Sequence, residues 1–117
     1  MNPNMKKKIL EKSKGLPLFA LLAEFEDYFG SVKDSDETKE LFLSFIAELM
    51  HDGELKFAIQ GKFLEGSIEE QIDLFRQAWP DHYDDKELEY DIDHLWWITY
   101  APAGAVWICE DGYEEWT

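Results

Sequence analysis

Apolar residues recur at steps of three and four through the first half of the chain. Leu18, Leu21, Leu22, Phe25, Tyr28 and Phe29 form one face of a helix over about residues 17–29, with Pro17 suited to its first turn and Gly30 to its stop. Leu41, Phe42, Phe45, Ile46 and Leu49 form the next such face. Asp34-Ser35-Asp36-Glu37 before it offers cap candidates, with Asp34 and Glu37 at capping-box spacing, and His51-Asp52-Gly53 reads as its end, with an imidazole near the negative pole of the helix. The period then drops to two. Leu55, Phe57 and Ile59 alternate with Lys56, Ala58 and Gln60, which predicts a half-buried strand bounded by Gly61. Ser67 and Glu70 make a second capping box, opening a helix through Ile68, Ile72, Phe75 and Trp79 that Pro80 ends.

From 81 to 94 the chain is mostly charged. Leu88, Ile92 and Leu95 are helically spaced there, so a short helix competes with a charged loop. Beyond it, Leu95 to Tyr100 and Ala105 to Ile108 are aromatic and β-branched runs on either side of Pro102-Ala103-Gly104, the pattern of a β-hairpin. On such a strand Trp96, Ile98 and Tyr100 face one side and Trp97 and Thr99 the other, leaving one tryptophan exposed unless both faces are covered. Trp116 is placed to pack back as a plug. The expected fold class is α+β: three to four helices packed on a small antiparallel sheet with a C-terminal β-hairpin. Residues 1–117 read as a single domain, with 1–14 a flexible basic tail or a short helix.

Charge narrows the functional classes. The 117 residues carry 11 basic and 26 acidic groups, a formal charge of −15. The distribution is polarised: residues 1–14 hold five lysines and one glutamate, whereas 81–117 hold 11 acidic groups against Lys86 alone. Such a field repels nucleic acid and anionic membrane and attracts basic proteins. The helix–strand–helix–hairpin order superficially matches a winged-helix DNA reader, but the helix over 68–78 carries Glu69, Glu70 and Asp73 against Arg76, the wrong sign for that work. No apolar run reaches membrane-spanning length, and Ile9-Leu10 after the lysines is too short for a signal segment, so a cytoplasmic address is expected. Cys109 has no partner for an internal disulfide and reads as a small apolar filler at a strand end.

His82, Asp84, Asp85, Asp91, Asp93 and His94 bring imidazoles and carboxylates close in sequence, the ingredients of a metal site or an acid–base pair. Their spacing matches no closed zinc signature. There is no HExxH, no cysteine pair, no Gly-rich phosphate loop and no serine elbow. The expectation is therefore a chain that is not an enzyme, with no cofactor and no metal. Its partner-binding face is drawn from Tyr83, Asp84, Asp85, Glu87, Tyr90, Asp91, Asp93 and Trp96, acids for encounter and aromatics for anchoring.

One resemblance adds to this. Glu48-Leu49-Met50-His51-Asp52-Gly53-Glu54-Leu55-Lys56-Phe57, Trp79-Pro80, Leu95-Trp96-Trp97 and Ala101-Pro102-Ala103-Gly104-Ala105-Val106-Trp107-Ile108 resemble an uncharacterised bacterial family of small acidic proteins, from about residue 35 onward. Similar proteins are encoded beside polymorphic or contact-dependent toxins and are regarded as their immunity proteins. The resemblance implies an acidic protein-binding module that neutralises a basic toxin domain, such as a nuclease, as a monomer or weak homodimer. Two other readings stand beside it: a small metal-binding or hydrolytic domain using the His82–His94 loop, and a housekeeping interaction domain.

Overall fold

The computed structural model describes residues 2–117. Three helices come first: α1 (Pro3–Ser13), α2 (Leu18–Phe29) and α3 (Asp36–His51). The basic start of the chain is thus helical. The Asn2 side chain accepts the Asn4 N–H at 2.8 Å, and Pro3 follows at the position where its missing N–H costs nothing. Helix α2 presents Leu18, Leu21, Leu22 and Phe25 to the core, and α3 presents Phe42, Phe45, Ile46 and Leu49. Ser35, rather than Asp34, caps α3, its hydroxyl accepting the Glu37 N–H at 3.0 Å. Asp34 is spent in the preceding turn, where its N–H bonds the Ser31 carbonyl.

Strands β1 (Leu55–Ile59) and β2 (Lys62–Phe63) form a hairpin whose two-residue turn, Gln60-Gly61, has positive φ at both positions (53° and 78°). That is the mirror-image turn that matches strand twist. Helix α4 (Ile68–Ala78) follows, with the Ser67–Glu70 capping box formed in both directions. After a 3₁₀ turn at Leu88–Tyr90 come a short helix, α5 (Leu95–Thr99), and strands β3 (Gly104–Ile108) and β4 (Glu114–Trp116). The sheet is antiparallel in the order β2-β1-β3-β4, so the fold is α+β with helices on a small sheet.

The predicted hairpin lies one strand further along than its aromatic pattern suggested. Leu95 to Thr99 is helix, and the C-terminal hairpin is β3–β4, turned by the Gly112 N–H on the Cys109 carbonyl and the Tyr113 N–H on Asp111. Two forces override the β propensity of the Leu-Trp-Trp-Ile-Thr run. Asp91 seats the first turn of α5: its carboxylate accepts the Leu95 N–H at 3.2 Å and its carbonyl the Trp96 N–H at 3.0 Å. A helix also turns adjacent side chains by about 100° rather than to opposite sides, so both tryptophans reach the core. Trp96 and Trp97 are 2% and 7% exposed, which corrects the expectation that one of them faces solvent.

The register puts Leu55 and Phe57 of β1 on the same face as Trp107 and Ala105 of β3, and all four are buried in the main core. Ile59, expected on that face as well, is exposed beyond its edge. Phe57 stacks on Phe75 at 4.6 Å, Phe75 on Trp97 at 5.9 Å, and Trp97 meets Phe42 edge-on at 5.9 Å. Buried indole N–H groups are satisfied, Trp97 by the Ile92 carbonyl at 2.6 Å and Trp107 by the Leu16 carbonyl at 2.7 Å. On the other face of the sheet, Phe63 and Trp116 lie 5.1 Å apart, with Ala58 and Val106 buried as their strand neighbours. Trp116 does pack back, as one half of a lid and not as a plug in the core.

Candidate protein-binding site

The acidic segment leaves α4 at Pro80 and returns at Asp91, closed by the Asp84 N–H on the Tyr90 carbonyl at 3.2 Å. Inside it, Asp84 accepts the Lys86 N–H at 2.9 Å, an Asx turn, and the Tyr90 N–H reaches the Glu87 carbonyl at 2.9 Å. The His82 ring stacks on Tyr90 at 4.0 Å and its Nδ1 lies 2.6 Å from Asp81. Lys33, from the α2–α3 connection, pairs with Asp93 at 2.6 Å and sits 4.2 Å over the Tyr83 ring, tying the loop to the helices. Asp93 holds the Lys33 ammonium above its ordinary range. Both loop phenols are pushed up, Tyr83 by desolvation and then Asp93, Tyr90 chiefly by Glu89, so they stay protonated hydrogen-bond donors.

The eight residues drawn from the sequence divide into three groups. Tyr83, Asp85 and Glu87 are exposed, together with Leu88 and Glu89. Asp84, Tyr90 and Asp93 are half-buried and engaged in the loop's own turns, stacking and ion pair. Asp91 and Trp96 are buried, so neither presents a side chain to a partner of the folded chain. Their burial follows from α5: Asp91 holds its first turn and Trp96 packs between Phe75 and Trp79. Exposed Leu88 was missed because its helical spacing with Ile92 suggested a shared buried face; only Ile92 is buried.

Ion pairing separates this segment from the helices α1, α3 and α4, whose cations hold several of their carboxylates. Lys6 bridges Glu48 and Asp52, Lys14 meets Glu54, and Arg76 holds Glu40 through Nε and Nη2 and also pairs with Asp73. Arg76 keeps the Glu40 carboxyl below its usual range. Among the described residues, no lysine or arginine pairs with Asp81, Asp84, Asp85, Glu87 or Glu89. The two loop histidines serve separate surroundings: His82 lies on Tyr90, and His94 stands edge-on to Phe19 at 4.6 Å. No group of three His, Cys, Asp or Glu side chains converges as a metal-binding set among the described residues. Cys109 is half-buried, with desolvation and Glu115 pushing its thiol up, against thiolate chemistry. No helix among the described residues is long and apolar enough to cross a membrane.

Residues 50–117 match a family described as "Protein of unknown function, DUF596". The chain belongs to this family. Among solved structures it is similar to an uncharacterised protein conserved in bacteria, from Neisseria meningitidis, at 31% identity and a TM-score of 0.78, over 97% of this chain and 87% of that one. No curated protein matches it. The DUF596 pattern begins at the end of α3, yet the core it closes is completed by Phe25, Phe42 and Phe45 from α2 and α3. The similarity to the Neisseria protein extends over those helices as well.

Proposed function

We propose that this DUF596 protein is an acidic protein-binding module that neutralises a basic protein, such as a nuclease toxin, by direct binding in the cytoplasm. The observation that carries the reading is the unpaired acid of residues 81–89. Five carboxylates fall within residues 81–89 with no lysine or arginine pair, and Asp81, Asp85, Glu87 and Glu89 are exposed there together with Tyr83 and Leu88. Like charge held together costs stability, and a basic partner would relieve that cost on binding. Nuclease clefts are basic because their substrate is phosphate, so a carboxylate cluster can occupy one as a phosphate mimic. The resemblance to immunity proteins supports the same partner class.

The test begins with the neighbouring reading frame, which on this reading encodes a basic toxin domain, and then measures association kinetics against that domain at two salt concentrations; absence of such a domain rejects the toxin reading. The variant carries Asp84→Asn, Asp85→Asn, Glu87→Gln and Glu89→Gln, leaving Asp91 and Asp93 to their structural bonds. Association should slow by about tenfold or more at low salt, with a flatter salt dependence. Equal rates and equal salt slopes for the two proteins reject the proposal.

A further inference from the structure

A cleft of about 480 Å³ opens where the start of α2, the end of β1 and the α5–β3 connection meet. Phe19, Ile59, Trp97 and Ile98 line it, with Ala101 and Ala103. None of its lining side chains is charged, in a chain where 32% of residues are. Four other clefts each carry charged side chains. Ile59 and Ile98 remain 45% and 59% exposed at this cleft.

The lining also includes Gln60, which has φ of +53° and is the one non-glycine residue with positive φ among the described residues. The hairpin turn demands that backbone, and Asn, Asp or Gly would meet it with less strain. Glutamine at this position sets a long amide beside the apolar walls. A cleft of this size, apolar apart from the Gln60 amide and Thr117, whose hydroxyl is already bonded to the Ala105 carbonyl, has the make-up of a small-molecule site.

Charge decides among occupants. A second copy would bring another −15 against the first. A charged ligand would lose hydration to walls whose side chains offer no counter-ion. Half-buried Phe19 favours a flat ring, which meets its open part face-on or edge-on. We propose that this cleft binds a free, uncharged aromatic molecule of one or two fused rings, its polar edge hydrogen-bonded to the Gln60 amide. The proposal stands independently of the acidic loop.

The probes are indole and 2-naphthol, against the charged analogues indole-3-acetate and tryptamine, followed by amide chemical shifts of the whole chain at high salt to screen its net charge. The neutral rings should saturate with Kd below ~1 mM, moving amides of 18–19, 58–60, 97–101 and 103–104, and the charged analogues should bind at least ~10-fold more weakly. Ile98→Asp should abolish binding while leaving distant amides in place. Gln60→Gly keeps the turn, relieves its strain and removes the amide, so it should fold at least as stably and bind indole more weakly. Absence of saturation by both neutral rings, equal binding of the charged analogues, shifts outside the cleft, or wild-type indole affinity in Gln60→Gly would each overturn the proposal.

Discussion

The aromatic layer and the acidic loop are neighbours in sequence, joined at α5, and each is held by different means. In the layer, Phe57, Phe75, Trp79, Trp96 and Trp97 touch ring to ring, and every side chain is fixed by residues far away in the chain. In the loop, the turns close on backbone bonds within a few residues, and Asp85, Glu87, Leu88 and Glu89 face solvent. Asp91 lies at the join and belongs to the layer: its carboxylate and carbonyl start the helix that carries both tryptophans inward. Asp85 and Asp91, the same residue type six positions apart, therefore have unrelated roles. What decides is the N–H in front of the carboxylate, not its place in an acidic run.

The contrast can be broken most sharply at the layer. Trp107→Ala should cost roughly 3–5 kcal/mol of unfolding free energy, because the indole is fully buried and its N–H holds the Leu16 carbonyl. An unchanged denaturation midpoint would remove Trp107 from the core. Asp91→Ala should cost about 1–2 kcal/mol by freeing the first turn of α5, whereas Asp85→Ala should stay within ~0.5 kcal/mol of wild type. Equal effects in urea unfolding would erase the distinction between the two aspartates. Trp116→Ala, at a half-exposed lid, should cost about 1 kcal/mol, clearly less than Trp107→Ala.

The smallest effects appear in the pH dependence of stability. Glu40 has its pKa lowered by the Arg76 hydrogen bonds, so its contribution is present above the ordinary carboxylate range and fades as pH falls through the lowered value. Glu40→Gln should therefore weaken the fold at neutral pH, by under ~1 kcal/mol for a pair this exposed, and match wild type in acid. Glu26 has the opposite sign. Desolvation raises its pKa, and its cost to the folded state appears as pH rises through the raised value. Glu26→Gln can still accept the Val32 N–H, so it should stabilise the protein at neutral pH and converge with wild type in acid. Chemical unfolding across pH separates the two; parallel curves would contradict both assignments.

Much of this fold was legible because its long helices are amphipathic. The faces of α2, α3 and α4 show in their three- and four-residue steps, and the Ser67–Glu70 box marks α4 to the residue. What was hidden is short or held from a distance. Strands β2 and β4 have two and three residues, all exposed, so no alternation distinguishes them. Helix α5 has five residues of β-prone composition and exists because Asp91 and the aromatic layer hold it. The acidic character of the candidate site was plain, and the exposure of Tyr83, Asp85 and Glu87 agrees with it. The burial of Asp91 and Trp96 was not, since long-range packing decides it. The apolar cleft draws its walls from residues 17 to 117 and leaves no local signature.

The bond from the Trp107 indole to the Leu16 carbonyl joins positions 91 residues apart. Gly15, beside Leu16, approaches the other end of the chain so closely that a Cβ there would fall 2.5 Å from a Glu115 oxygen. Synthesis runs from the first of these positions to the last. A ribosome thus releases α1, α2 and α3, with their apolar faces, well before β3 exists to cover them, and β1 must wait for the same strand. Folding becomes an event that waits for β3 to be made, with helices kept waiting until then. A chain interrupted before β3 would display Phe25, Phe42 and Phe45 to whatever chaperone or protease met it first.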